Sequence, residues 1–159
     1  MYLPKDLRYR AVVRWDGETG GEVSCRSPVD FRVDIPPEFS GRGRYPCPDQ
    51  VFLASIGGCL LTTFLHFKMR LGLEVEDVRI SVEGEVGLVG AEGYRLKGVE
   101  ATIYVKAVEG EERLARRCAE LARDYCHITK SIEEALPISC LLYTSDAADE
   151  LDGVDLGGR

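Results

Sequence analysis

The feature that most constrains what this chain can fold into is a run without charge: from Gln50 to Phe67 there is no Asp, Glu, Lys or Arg. Its length approaches the roughly 18 apolar residues that suggest a membrane span. Gln50, Ser55, Gly57, Gly58, Thr62, Thr63 and His66 interrupt it, however. A helix apolar on all sides, yet this rich in small and hydroxyl residues, reads as a buried core helix. Pro48 has the fixed φ of a first helical residue, and Asp49 sets a negative charge at the positive end of the helix dipole. Gly72 stops the helix after Leu71.

On either side, period-two patterns predict strands. Tyr9–Trp15 is rich in β-formers, Asp16-Gly17 and Gly20-Gly21 mark a turn, Glu22–Cys25 returns, and Phe31–Ile35 alternates apolar and charged residues. Pro36-Pro37 ends that strand, and Ser40–Pro48 reads as an aperiodic loop. After the helix, Val75–Val86 and Val99–Val108 alternate, with the glycine-punctuated Gly84–Gly98 as the connection of two antiparallel strands. Glu111–Tyr125 is amphipathic, with Leu114, Cys118, Leu121, Ala122 and Tyr125 on its apolar face, and a short helical stretch follows from Ile128 to Leu136. Strands grouped apart from helices indicate an α+β fold rather than a parallel α/β one.

A length of 159 residues fits one domain that can bury a core without disulfides or metal. The net charge of −7 argues against a nucleic-acid partner. Met1–Arg10 carries Lys5, Arg8 and Arg10 and no apolar stretch, so no secretory signal is read there. Six cysteines without a CxxC pair predict neither a disulfide scaffold nor a zinc ribbon. The expectation is a cytoplasmic globular domain with no membrane partner, no metal and no cofactor. No phosphate loop, GxGxxG or GxSxG motif is present.

Two cysteines could carry chemistry. Cys59 sits in Ile56-Gly57-Gly58-Cys59-Leu60, where an unpaired cysteine is ordinarily a small inert hydrophobe. Two glycines inside a helix each cost about 1 kcal/mol relative to Ala, so a close approach of backbone or substrate beside the thiol is expected. Asp49, Arg42 and Arg44 precede it as charged groups able to fold over it. Cys126 ends the amphipathic helix before His127 and Lys130, which would acidify its thiol; alternatively it only caps the apolar face. Cys118 and His66 read as packed side chains, and Cys25 and Cys47 suggest no role. Arg113, Arg116, Arg117 and Arg123 read as the solvated side of the helix, paired with Glu112 and Glu120.

The stretch from Pro48 to Cys59, Pro-Asp-Gln-Val-Phe-Leu-Ala-Ser-Ile-Gly-Gly-Cys, resembles the OsmC/Ohr family of osmotically inducible and organic-hydroperoxide-resistance proteins. Cys126-His127-Ile128-Thr129-Lys130-Ser131-Ile132 is similar to that family's second cysteine signature, and the likeness runs from about Tyr9 to Ile138. The resemblance implies antiparallel sheets wrapped around a long buried helix in an intertwined homodimer. It implies a thiol peroxidase for organic hydroperoxides. Cys59 would become a sulfenic acid and Cys126 would condense with it to a disulfide, which a small dithiol, a lipoylated protein or a thioredoxin-like donor reduces. Asp49 stands where the family usually has Glu; its implied role is to orient an arginine onto the Cys59 thiolate, with Arg26, Arg32, Arg42 and Arg44 as candidates. The competing reading is a non-catalytic relative that binds a small apolar or thiol-reactive ligand.

From Cys140 the character changes. Cys140–Glu150 and Val154–Arg159 resemble the conceptual translation of a sequencing-library adapter. Residues 140–159 are therefore expected to be a non-native, disordered tail on an OsmC-like domain of residues 1–139 whose own C-terminus is truncated; a genuine acidic tail is the alternative. Asp146, Asp149, Glu150, Asp152 and Asp155 against Arg159 put most of the net acidity in this segment.

Overall fold

A computed structural model describes residues 9–25 and 30–145. The chain divides into two compact units whose boundary falls between Phe52 and Leu53.

In the first unit, β1 (Val12–Trp15), β2 (Gly20–Ser24) and β3 (Phe31–Asp34) form an antiparallel sheet in that order. The β1–β2 turn holds because the Glu18 amide donates to Asp16 Oδ1 and the Trp15 indole donates to the Glu18 carbonyl. The loop after β3, aperiodic in sequence, is pinned by one buried carboxylate. Asp34 is 2% exposed. It accepts from Thr19 Oγ1 at 2.6 Å, from the Ile35 amide, and from both the Arg44 amide and Arg44 Nε, the last at 2.7 Å. The Arg44 guanidinium also reaches Asp16 at 2.8 Å and Glu18 at 2.7 Å. Gly41 is required here, since a Cβ would collide with the Ile35 carbonyl.

The helix α1 (Pro48–Leu71) begins and ends where Pro48 and Gly72 predict. The expectation that it is buried on all sides is corrected. Ile56, Cys59, Leu60 and Phe64 form a buried stripe, whereas Leu65 and Leu71 are exposed and Met69 is 73% exposed. A charge-free sequence reports which side chains tolerate burial, not which faces meet a neighbour.

The second unit is built on β4 (Val75–Leu88) and β5 (Tyr94–Ala107), a long antiparallel hairpin with bulges between Val75 and Asp77 and between Glu85 and Val86. Its strands outrun the expected ones: the turn is only Val89–Gly93, so most of the glycine-marked segment is strand. On β5, Val99, Ala101, Ile103, Val105 and Ala107 all face the core. The helices α2 (Glu112–Tyr125) and α3 (His127–Ile132) follow. The buried face of α2 is Ala115, Cys118, Ala119 and Ala122; of the expected face, Cys118 and Ala122 are buried, Leu114 and Leu121 half-buried, and Tyr125 is exposed. Alanines let the helix lie close on the sheet, and larger side chains are left to its flanks.

A sixth strand, β6 (Ile138–Ser145), runs parallel to β5, so the second sheet is mixed rather than purely antiparallel. Parallel pairing requires a crossover, which α2 and α3 supply. Residues 140–145, expected to be disordered, form most of this strand. Leu141 and Tyr143 alternate with Leu142 along it, and Tyr143 stacks on Tyr104 at 5.5 Å with the Arg79 guanidinium over the Tyr104 ring at 4.5 Å. Residues 146–159 lie outside the described residues.

The bond from Arg44 holds the Asp34 carboxyl well below the usual carboxylate range, against the opposing effect of its burial. A carboxyl lowered on folding stabilises above its unfolded pKa of about 4 and loses that contribution as pH falls toward the folded value. Arg44→Met is therefore expected to lower the melting temperature at neutral pH, with the deficit shrinking on acidification below about pH 4. Thermal melting across that range checks it; a deficit independent of pH would refute the assignment.

Candidate redox site

Cys59 is carried by the buried stripe of α1 and is 7% exposed. The glycines before it differ. A Cβ on Gly57 would stand 3.2 Å from Val82 Cγ2 and 3.9 Å from Ile80 Cγ2, so Gly57 is where α1 lies against β4. A Cβ on Gly58 would meet nothing within 4 Å. The expected close approach beside the thiol thus exists at Gly57, and it is a strand side chain. One turn beyond, Thr62 Oγ1 and Thr63 Oγ1 both donate to the Cys59 carbonyl, at 3.2 and 2.7 Å.

Cys126 is at a break. Its backbone, at φ −63° and ψ 108°, is extended, so it ends α2 and begins α3 at once. Its amide donates to the Ala122 carbonyl while its own carbonyl accepts from Thr129 Oγ1 and the Lys130 amide. Wholly buried, it adjoins the Cys59 thiol and favours that thiol's protonated form, and both cysteines are free thiols. The fold thereby brings together two residues 67 apart in sequence.

His127 and Ile128 complete the surroundings of Cys59. The His127 ring nitrogens Nδ1 and Nε2 lie 3.8 and 3.9 Å from the Cys59 sulfur, and the Ile128 amide favours the charged form of the same sulfur. The sequence reading set His127 beside Cys126, its chain neighbour; the structure places the imidazole on Cys59. Burial pushes the Cys59 thiol up, the Ile128 amide pulls it down, Cys126 pushes it up and Thr63 pulls it down, with a net upward direction. Burial likewise raises Cys118, and pushes Cys140 up to about 11 despite Arg123.

The remaining candidates sit as follows. Asp49 is in the first turn of α1. Arg32 pairs with Glu22, Arg42 with Glu18, and Arg44 with Asp34, Asp16 and Glu18, all within the first unit. Arg26 lies outside the described residues. Cys118 is a core residue. His66, expected to be packed, is exposed and meets Phe67 edge-on at 5.3 Å. No group of three or more His, Cys, Asp or Glu is gathered for a metal among the described residues. Beside the thiol pair, Leu60, Ala101, Thr129 and Cys140, with Arg123 and Lys130, line a cavity of about 390 Å³.

An α+β chain with two apposed thiols, one on a long helix and one at a helix break, is the class these elements define. The family model described as OsmC-like protein matches residues 41–140, and the chain belongs to that family. Over 104 residues it is 28% identical to the uncharacterized protein YmaD of Bacillus subtilis, covering 64% of this chain and 69% of that protein. Its fold is similar to an organic hydroperoxide resistance protein OsmC from Legionella pneumophila (TM-score 0.67, 19% identity, 87% of this chain and 97% of that one). It is also similar to the organic hydroperoxide resistance protein OhrB of Bacillus subtilis (TM-score 0.61, 16% identity, 87% and 98%).

The two glycines make separable predictions. Gly58→Ala, with open space at the Cβ, is expected to stabilise the protein by about 1 kcal/mol through helix propensity alone. Gly57→Ala is expected to lose that gain against Val82. Urea unfolding of both variants checks the pair, and equal gains would remove the steric role of Gly57.

Proposed function

We propose that this protein is a thiol-dependent peroxidase that reduces organic hydroperoxides in a two-cysteine cycle. The observation that carries the reading is the apposed pair of buried free thiols, Cys59 and Cys126, with Cys126 acting on the ionisation of Cys59. The Cys59 thiolate attacks the distal peroxide oxygen, the O–O bond breaks, and the alkoxide leaves and is protonated to the alcohol. Cys59 is then a sulfenic acid; Cys126 attacks its sulfur, water departs and a disulfide forms. Exchange with a dithiol, lipoylated or thioredoxin-like donor restores both thiols. The organic hydroperoxide resistance proteins among the fold relatives, the family membership and the apolar setting of Cys59 all support this substrate class.

The same reading includes a cytoplasmic homodimer, since Leu65, Met69 and Leu71 on α1 and Val13 and Trp15 on β1 are exposed apolar side chains in search of cover. One observation favours a second reading: the raised Cys59 thiol is less nucleophilic at neutral pH, which suits a relative that only binds a small apolar or thiol-reactive ligand.

Stopped-flow oxidation by an alkyl hydroperoxide, with free-thiol counting, separates the two. Peroxidase chemistry predicts rapid loss of both thiols, no reaction in Cys59→Ser, and one turnover followed by a stall in Cys126→Ser. Unchanged peroxide consumption in Cys59→Ser would sink it, and slow oxidation with ligand-dependent thermal stabilisation would favour the binding protein. Light scattering is expected to give the mass of two chains, and a monomer would remove the dimer from the proposal.

A further inference from the structure

We infer that His127 is a catalytic residue: it takes the proton of the Cys59 thiol, forming a thiolate–imidazolium pair, and delivers a proton to the departing alkoxide. The inference rests on the peroxidase reading for its second half and on the contact of the imidazole with the Cys59 sulfur for its first.

Three observations converge. Nδ1 and Nε2 lie 3.8 and 3.9 Å from the Cys59 sulfur, so in either tautomer the unprotonated ring nitrogen is within 4 Å of the thiol. Catalytic hydrogen bonds are often long in unliganded enzymes and tighten in the complex with substrate. The ring's place is also built. The extended backbone at Cys126 makes His127 the first residue of α3, the amide of the next residue favours the Cys59 thiolate, and Ser131 Oγ closes the turn by donating to the His127 carbonyl at 2.6 Å. One chain reversal thus brings resolving thiol, amide and imidazole to the same sulfur. Finally, there is a need for a base. Burial favours the protonated Cys59 thiol, whereas only the thiolate attacks peroxide. Imidazole is the side chain that exchanges a proton near neutral pH, and the exposed position of His127 lets it exchange with solvent.

The groups set against Cys59 are Cys126 at the helix break, Thr63 on α1, and the Ile128 amide and His127 ring on α3. The other charged groups of this junction, Arg123, Asp124, Lys130 and Glu133, line the neighbouring cavity. The step balances. Cys59–SH and His127 become Cys59–S⁻ and His127–H⁺; the thiolate takes the terminal OH of ROOH as the O–O electron pair leaves on RO⁻; His127–H⁺ protonates RO⁻. The products are Cys59–SOH, ROH and neutral His127.

The test reads Cys59 without peroxide. The reduced full-length protein is alkylated with iodoacetamide across pH, and Cys59 modification is followed by peptide mass spectrometry. The wild type is expected to show a reactive limb at neutral pH that His127→Gln lacks, with a fall of about ten-fold or more at neutral pH. His66→Gln, which alters the chain's other histidine, is expected to match the wild type. Superimposable profiles for His127→Gln and wild type would overturn the assignment; His127→Asn replaces the glutamine variant if its melting is altered. Peroxide is then added. Equal, rapid hydroperoxide consumption in wild type and His127→Gln refutes His127 and leaves the peroxidase reading standing. A shifted alkylation profile with no peroxide reaction in either protein refutes the peroxidase reading and leaves the thiolate–imidazolium pair.

Discussion

The thiol pair depends on one constraint: α1 must lie against β4 closely enough for its buried stripe to stay dry. Ile56, Leu60 and Phe64 recur every four residues, and Cys59 stands beside them on the same stripe. Gly57 sets the approach, because its missing side chain leaves room for Val82 and Ile80. Burying side chains of this size contributes about 2 kcal/mol each, enough to hold a helix whose other faces are exposed. The thiol is therefore positioned by packing rather than by the loops around it. The same burial disfavours its ionisation, and stability and reactivity oppose each other at this sulfur.

The second constraint is the break at Cys126. Had α2 run on through this residue, His127 and Ile128 would have followed its helical path. An extended residue between two helices redirects them toward α1. The amide and imidazole then meet a sulfur whose own environment withholds charge. The break is secured by bonds on both sides, from the Cys126 amide back to Ala122 and from Thr129 and Lys130 to its carbonyl. The first unit solves a different problem in a related way: a buried carboxylate, Asp34, gathers an arginine, a hydroxyl and two amides and so orders a loop that has no hydrophobic period.

Much of this was legible in the residues. Period-two alternation located β3, β4 and β5, and Pro48 and Gly72 bounded α1, because local sterics and capping act through a few neighbouring residues. Other features were legible only in part. The β4–β5 turn was drawn too wide, since Val86, Leu88, Tyr94 and Leu96 continue the ladder through glycines that read as loop. The buried face of α2 was placed in part, through Cys118 and Ala122, whereas close approach to the sheet selected Ala115 and Ala119 in place of Tyr125. Strand β6 was missed because its sequence looked foreign, although it pairs with β5 from Ile138 to Ser145.

By itself the sequence determined the α+β order and the limits of the long helix, and it singled out the two cysteines as candidates, since these follow from local backbone preferences and from motifs written in consecutive residues. Only the tertiary structure decided which stripe of α1 is buried, that β6 is parallel, that Arg44 belongs to Asp34, and that His127 faces Cys59 rather than its neighbour Cys126. Each of these is a contact between segments distant in the chain, and side-chain direction at such a contact is set by the path of the backbone, which spacing alone does not encode.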